Sequence, residues 1–532
     1  MTPVAAVTTT SDAGAIELVF LLMFAATGLA VVARRLGIPY PILLVIGGLL
    51  LGFIPGLPQV VLAPDLVFLL FLPPILFGAG YFTSIRDFKA NLRAIGMLSV
   101  GLVIATTIAV GVVAHALVPG LEWAPAFALG AIVAPPDAVA ATAIFQRLGV
   151  PRRVVAILEG ESLVNDATAL VIYRAAVFVA VGGSVSLLGL AGTFVVAAVG
   201  GVVVGAVLGT IVGRVMARLD DPVFSVVISF LAPVAIYLPA EILGLSGVIA
   251  TVAAGIVLGR SAARGMSSEV RIAGQATWQV LLFLINGAAF ILIGLQIRTV
   301  LAGLGDRPVG ELIGLAVAVC ATVILVRIAW VYPGAYVPRT MIAGIREREG
   351  APSLRLVFIV GWAGMRGVVS LAAALALPLD LPQRDLLIFL TFAVILATLV
   401  GQGLTLPLLI HKLGIVADGG QAHEEAHARV AAAEAALARL DELAQEWPGH
   451  LELIDTLRAQ YGHRSQHLDE DHHERPETEA EQELLEHRQI RSDVIDAERE
   501  AIIRLRDAGG VSDDAFRAVE RDLDLEELRM EA

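Results

Sequence analysis

The chain has 532 residues, of which 57% are hydrophobic and 16% charged, and its mean hydropathy is +0.80. Soluble globular proteins do not have this composition, so we expect most of the chain to lie in a membrane. The formal charge of −13 is unevenly placed, with 23 Lys and Arg against 19 Asp and Glu up to residue 411, and 14 against 31 beyond it. The single cysteine, Cys320, excludes a framework of disulfides within the chain.

Thirteen apolar runs follow one another along residues 1–411, each about as long as a helix that crosses the hydrocarbon core of a bilayer. Their approximate bounds are 15–33, 38–56, 61–82, 94–118, 124–146, 154–182, 185–213, 222–240, 244–259, 277–297, 311–331, 356–377 and 386–410. These runs predict an all-α polytopic membrane domain over residues 1–411, with about 13 transmembrane helices.

Basic residues in the predicted loops indicate how the chain is oriented. If the N-terminus is outside, the cytoplasmic loops hold 17 Lys and Arg, and the opposite loops hold only Arg298, Arg307 and Arg384. Cytoplasmic loops normally carry the excess of basic residues. We therefore expect a multi-pass protein of the cell membrane with its N-terminus outside and its C-terminal tail in the cytoplasm.

Spans 1–6 and 8–13 form two units of opposite orientation around span 7, which is typical of the inverted repeats of secondary transporters. The fifth span of each unit contains residues that interrupt helices. In AIVAPPDAVAAT, Pro135 and Pro136 cannot continue a regular helix. In VGWAGMRGVVSL, Gly364 and Gly367 flank Arg366. We predict two discontinuous helices that cross near the middle of the membrane, where such transporters bind their substrates.

Eight ionisable residues fall inside the predicted spans. Each is a functional candidate, because a charge at this depth must be paired or must line a wet cavity. They are Asp137, Glu159, Glu161, Asp166, Arg174, Glu241, Arg327 and Arg366. Arg366 needs a partner, and we expect Glu161, with Glu159 as the alternative, to form a structural ion pair with it, since breaking a buried pair is strongly destabilising.

The stretch EGESLVNDATAL contains the candidate ion site. Ser162 and Asp166 are four residues apart, which places them on one helical face with Asn165 alongside. Carbonyls freed at the break near Pro136 and Asp137 would add further oxygen ligands. Carboxylate, hydroxyl and carbonyl oxygens suit a hard cation such as Na⁺. A proton competes for the same carboxylate, so cation and proton exclude each other, as the coupling of an antiporter requires.

Three motifs together resemble a known family. They are EGESLVNDA, the downstream GMRGVVSLA and the upstream FLPPILFGAGY. Over residues 15–411 the chain resembles the monovalent cation/proton antiporters, which include bacterial sodium/proton antiporters and sodium/proton exchangers. The resemblance implies a homodimer with thirteen helices per protomer, crossed unwound helices, and an elevator-like movement of a core domain against a dimerisation domain.

The resemblance also implies roles for individual residues. Asp166 is the site of the cation and the proton, and Ser162 and Asp137 support it. Asn165 immediately before Asp166 goes with electroneutral one-for-one exchange, whereas family members with two adjacent aspartates are typically electrogenic. The pair of Glu161 with Arg366 is implied as well.

Two positions depart from the pattern of the family. Asp137 is preceded by Pro136 and followed by alanine, where many relatives have Thr-Asp-Pro, and Gly78 stands where many have an acidic residue. Both departures remove possible ligands. The preference among Na⁺, Li⁺ and K⁺ therefore stays open, with Na⁺/H⁺ exchange as the first hypothesis and K⁺/H⁺ exchange as the alternative.

Residues 412–532 form a different kind of segment, acidic and rich in strong helix formers, which we predict to be a helical cytoplasmic tail. It holds eight of the ten histidines. A pH sensor and a solvated tail without such a role are both open interpretations. The spacing of His472 and His473 does not support a metal site.

Other classes of protein agree less well with the sequence. A cation channel would need a filter motif of carbonyl groups, and an intramembrane enzyme would need a zinc-binding His pair or a Ser/His arrangement; neither motif is present. A Walker-type ATP-binding loop is also absent, so transport must draw on an ion gradient. We expect Na⁺ and H⁺ as cargo and no resident cofactor. The expected partners are the lipid bilayer and a second copy of the chain, without nucleic acid, and the expected role is in pH and sodium homeostasis.

Overall fold

The computed structural model describes residues 12–54, 68–184, 186–305, 307–341, 352–415 and 420–470, with short helical stretches between residues 489 and 527. The chain divides into two compact units, Met1–Ala417 and Asp418–Ala532. In the described residues the regular structure is helical.

The first unit consists of seventeen helical segments over its described residues. They are α1 (Asp12–Leu36), α2 (Tyr40–Gly52), α3 (Leu72–Phe82), α4 (Ile85–Ala90), α5 (Leu92–Leu117), α6 (Trp123–Val133), α7 (Ala138–Leu148), α8 (Arg152–Ala180), α9 (Leu187–Leu219), α10 (Pro222–Ile242), α11 (Gly247–Gly265), α12 (Ser268–Leu295), α13 (Ile297–Ala302), α14 (Val309–Met341), α15 (Leu354–Trp362), α16 (Val368–Leu375) and α17 (Arg384–Lys412). Two of them contain a π-helical turn, at Met97–Leu102 in α5 and at Ala397–Gln402 in α17.

Eight of the described helices or helix pairs are long and apolar enough to cross a membrane. They are α5, α6 with α7, α8, α9, α10, α12 with α13, α14 and α17. On α9, large apolar side chains such as Leu188 and Val196 are exposed, as expected for a surface that contacts lipid. The prediction of an all-helical membrane protein is confirmed, while the count of thirteen crossings and the inverted repeats stay predictions.

Helices α2 and α12 pack without side chains between them at two glycines. A Cβ atom added at Gly48 of α2 would lie 2.3 Å from the carbonyl oxygen of Ile291, and one added at Gly294 of α12 would lie 2.3 Å from that of Val45. Small residues of this kind let two helix backbones approach closely inside a membrane. The contact holds α12 firmly against α2.

The first helix break separates α6 from α7 at residues 134–137. Pro135 and Pro136 have no amide hydrogen, so two carbonyls of the last turn of α6 lose the donors that a continuous helix would provide. Asp137 then caps the new helix, its Oδ1 accepting a hydrogen bond from the amide of Val139 at 2.9 Å.

The second break separates α15 from α16 at residues 363–367. The two breaks meet, because the amide of Asp137 donates to the carbonyl of Met365 at 2.7 Å. At the same place a Cβ atom added at Gly367 would lie 1.9 Å from Oδ2 of Asp137. Only glycine fits there, so the two interrupted helices cross in backbone contact.

The second unit contains α18 (Gly420–Glu446) and α19 (Leu451–Glu470), which pack against each other as a helical hairpin. Ala433, Leu440 and Ile454 are buried in this unit. Arg458 of α19 pairs with Asp441 of α18 at 2.8 Å. The residues considered for a metal site, His472 and His473, lie outside the described residues.

Candidate ion-binding site

A cavity of about 620 Å³ lies beside the crossing of the two interrupted helices. Its walls come from α2, α3, α7, α8, α12 and α16. The polar side chains that line it include Asp137, Glu159, Ser162, Asp166, Gln279 and Asn286. The cavity thus brings several polar side chains together inside a domain that is otherwise strongly apolar.

Three of the predicted site residues line this cavity together. Asp166 lies halfway along α8 and is 6% exposed, Ser162 precedes it by one helical turn, and Asp137 stands at the first break. The hydroxyl oxygen of Ser162 is 3.5 Å from the amide of Ala138, the first residue of α7. The arrangement offers two carboxylates and a hydroxyl to a small cation.

Asn165, the fourth predicted residue, points to the break instead. Its Nδ2 donates to the carbonyl of Pro136 at 2.9 Å, which ties α8 to the interrupted helix. The side chain is fully buried, and its Oδ1 has no hydrogen-bond partner among the described residues. Asn165 therefore fixes the backbone beside Asp166 and adds no charge there.

The ion pair predicted between Glu161 and Arg366 is wrong. The carboxylate of Glu161 on α8 pairs with Arg327 on α14, with Oε1 at 2.5 Å from Nη1 and Oε2 at 2.8 Å from Nη2. Both side chains are buried. The Arg327 guanidinium also donates to the carbonyl of Val360, at 3.2 and 3.3 Å. This two-pronged geometry is the strong form of a charge-assisted hydrogen bond.

Arg366 instead serves the carbonyls that the breaks leave free. Its Nε donates to Val133 at 3.0 Å, its Nη2 to Ala134 at 3.4 Å, and its Nη1 to Gly364. In a continuous helix the amides of residues 137 and 138 would bond to these first two carbonyls. Because the amide of Asp137 bonds to Met365, Arg366 takes over the end of α6, where a cation is favourable.

Two residues of this region were not found as site residues from the sequence. The sequence identifies Arg327 as an intramembrane charge, but spacing along the chain cannot decide which of two arginines reaches Glu161. Thr398, in the π-helical turn of α17, accepts a hydrogen bond from the amide of Arg366 at 3.1 Å. A threonine in an apolar run carries no signal for such a role, although π-helical turns often occur at functional sites.

The remaining intramembrane charges lie away from the crossing or at the edge of the cavity. Arg174 pairs with Glu241 at 2.7 Å, and Glu241 also accepts from the amide of Gly247 at 3.1 Å. Glu159, two turns before Asp166, is half-buried and lines the cavity. Arg174 and Glu241 therefore form a structural pair, separate from the cavity.

Comparison with known proteins agrees with this geometry. The family described as "Sodium/hydrogen exchanger, transmembrane" matches residues 19–412. A Mycobacterium tuberculosis protein described as an uncharacterised Na⁺/H⁺ exchanger is 35% identical over 97% of this chain and 96% of its own. A "Sodium, potassium, lithium and rubidium/H⁺ antiporter" of Bacillus pumilus is 34% identical over 70% of this chain and 58% of its own.

Among solved structures, the sodium proton antiporter MjNhaP1 of Methanocaldococcus jannaschii matches with a TM-score of 0.58 and 22% identity, over 75% of this chain and 98% of that one. The match shows a shared fold. The resemblance read from the three motifs is thus confirmed. The chain belongs to the sodium/hydrogen exchanger family of multi-pass membrane transporters, which exchange cations for protons.

Proposed function

We propose that this protein is a secondary antiporter that exchanges Na⁺ for H⁺ across the cell membrane, with Asp166 as the common site of both ions. The observation that carries this proposal is the position of Asp166, buried halfway along α8 and lining a cavity beside two interrupted helices. A carboxylate is at once a ligand for a hard cation and a base, so it binds one ion or the other. Ser162 and Asp137 contribute further oxygens.

Coupling follows from the cost of moving an unneutralised charge through a membrane. An aspartate at the bilayer centre costs about 2.5 to 3.5 kcal/mol on insertion scales. The part of the protein that carries Asp166 therefore changes sides only when Na⁺ or a proton neutralises that carboxylate. Alternating access of this kind needs no ATP and no resident cofactor.

The exchange is proposed to be electroneutral, one Na⁺ for one H⁺. Asn165 supports this, because it uses its amide to hold the Pro136 carbonyl and contributes no second titratable group. A wild-type transporter of this kind runs at a rate that an imposed membrane potential does not change.

Orientation and assembly are part of the same proposal. The cavity reaches Thr83, Gln146 and Gln275, near the ends of helices whose adjoining loops are rich in arginine. With the N-terminus outside, these ends are cytoplasmic, so the cavity opens to the cytoplasm. The C-terminal tail then lies in the cytoplasm as well. We further propose a homodimer and a role in pH and sodium homeostasis.

K⁺/H⁺ exchange is the second candidate function. The relative from Bacillus pumilus is described by its name as transporting sodium, potassium, lithium and rubidium. Gly78 supports a broad range of transported cations in this chain as well, because a glycine at that position gives the cavity no further carboxylate. Li⁺ is a third cation to be tested.

Proton flux in proteoliposomes or everted vesicles, on addition of Na⁺, Li⁺ or K⁺, tests the proposal. Asp166→Asn removes the titratable group at nearly constant volume and should abolish cation-driven proton movement. Asp220→Asn is the matched control, because Asp220 lies in the turn between α9 and α10 and outside the cavity. Full exchange by Asp166→Asn would refute the mechanism, and cation flux without proton coupling in the wild type would favour a channel.

A further inference from the structure

Two buried polar side chains that line the cavity have no part in the site described so far. Asn286 of α12 is 8% exposed and Ser370 of α16 is 1% exposed, and both line the cavity. The hydroxyl of Ser370 has no hydrogen-bond partner among the residues that the structure describes. An unsatisfied buried polar group costs about 1 to 3 kcal/mol. Groups of this kind in a cavity point to a bound ion or to water.

Asn286 lines the same cavity as the charged residues. It belongs to a polar stripe on α12 with Gln275 and Gln279, which also line the cavity, as do Asp137 and Asp166. The glycine contact at Gly48 fixes α12 against α2. The amide therefore belongs to a rigid helix, which gives a ligand atom a defined position.

The same helix fills the space that Gly78 leaves open. A Cβ atom added at Gly78 would lie 2.8 Å from Cδ1 of Leu282, one turn before Asn286 on α12. A larger residue at position 78 would meet this helix. In this chain, α12 therefore packs closely against α3 beside the cavity, and it carries the amide of Asn286.

Ser370 reaches the cavity from the second interrupted helix. It follows Gly367 by three residues, and Gly367 contacts the carboxylate of Asp137. Ser370 is therefore one helical turn from the crossing. Residues with side-chain oxygen atoms thus line the cavity from α8, from α12 and from the two interrupted helices.

We propose that Asn286 and Ser370 are further cation-binding residues, which complete the coordination of the ion at Asp166 and set the preference among Na⁺, Li⁺ and K⁺. This deepens the proposed function and rests on it. Cation selectivity depends on the number and field strength of the ligand oxygens that replace the hydration shell. A ligand oxygen attracts a small cation more strongly than a large one, because the distance between ion and oxygen is shorter.

Cation-driven proton movement in proteoliposomes, measured at one pH for Na⁺, Li⁺ and K⁺, tests this assignment. For a cation that is not transported, the measured quantity is its inhibition constant against the transported cation. Asn286→Leu and Ser370→Ala should raise the apparent KM for Na⁺ and Li⁺ about tenfold, with a smaller change for K⁺ and a small change in the maximal rate. Asn286→Gln and Ser370→Thr keep the oxygen atoms and should retain the wild-type order of cations.

Thr277→Val is the control on the same helix. Its hydroxyl bonds to Ala273 within α12 and does not line the cavity, so this variant should behave as the wild type. If Asn286→Leu does not fold, Asn286→Ser and Ser370→Ala carry the test. The assignment would be overturned if the variants at both positions changed the apparent KM or inhibition constant equally for all three cations, or changed it for none of them. Asp166→Asn tests the antiport mechanism separately, so a failed assignment of Asn286 and Ser370 would leave the proposed function standing. Full exchange by Asp166→Asn would contradict both the proposed function and this assignment.

Discussion

The ion pair between Glu161 and Arg327 gives a prediction about stability. Glu161→Gln would leave the Arg327 guanidinium buried, with its charge uncompensated and the carbonyl of Val360 as its remaining strong acceptor. Removing one partner of a buried pair costs about 3 to 5 kcal/mol. The same type of change at Arg174, which is 57% exposed where it pairs with Glu241, should cost about 1 kcal/mol or less.

A double-mutant cycle distinguishes the two arginines as partners. We expect Glu161→Gln and Arg327→Gln to be coupled by about 1 to 3 kcal/mol, as residues in contact are. Glu161→Gln and Arg366→Gln should be coupled less, because Arg366 donates to backbone carbonyls. The free energy of unfolding is measured in mixed micelles by titration with a denaturing detergent, followed by tryptophan fluorescence.

Replacement of the whole pair provides the internal check on this reasoning. Glu161→Met with Arg327→Met removes both charges together, and such exchanges are often neutral or stabilising. The double variant should therefore be more stable than Glu161→Gln alone. A coupling with Arg366 as large as that with Arg327, or a Glu161→Gln variant as stable as the wild type, would refute the argument.

Two further predictions concern the crossing and the cargo. Gly367→Ala places a Cβ atom on the carboxylate of Asp137 and should lower the exchange rate in proteoliposomes by about 100-fold, the effect of displacing a site by about 1 Å. Gly401→Ala is the control, because a Cβ atom there meets no described atom within 4 Å, and it should exchange at the wild-type rate. Lowering the pH should raise the apparent KM for Na⁺ by up to about tenfold per unit at constant maximal rate, because protons compete for Asp166; a fall in maximal rate at unchanged KM would contradict competition.

The helix breaks could be predicted because their causes are local. Pro135 and Pro136 lack amide hydrogens wherever they stand, and an aspartate after them is a good helix cap. The shared face of Ser162 and Asp166 follows in the same way from the helical repeat. These features need no knowledge of which helices are neighbours.

The partners of the buried charges could not be predicted for the opposite reason. Arg327 and Arg366 are both single arginines in apolar runs, and the choice between them depends on how α14 and the break before α16 pack around α8. The role of Arg366 depends on a tertiary contact, in which the amide of Asp137 donates to Met365 and leaves the carbonyl of Val133 for Arg366. Long-range packing decides this, and the local sequence does not record it.

The charges at the crossing and beside it do not balance. Arg327 and Arg366 are positive, and Glu161, Asp137 and Asp166 are negative when ionised, so this group of five carries one negative charge in excess. A single monovalent cation or a single proton makes the group neutral, and a divalent cation would leave it positive. Transfer of a neutral body into a medium of low dielectric constant avoids the solvation penalty of a charged one. Under the proposed mechanism, this charge balance favours monovalent cargo carried one ion at a time.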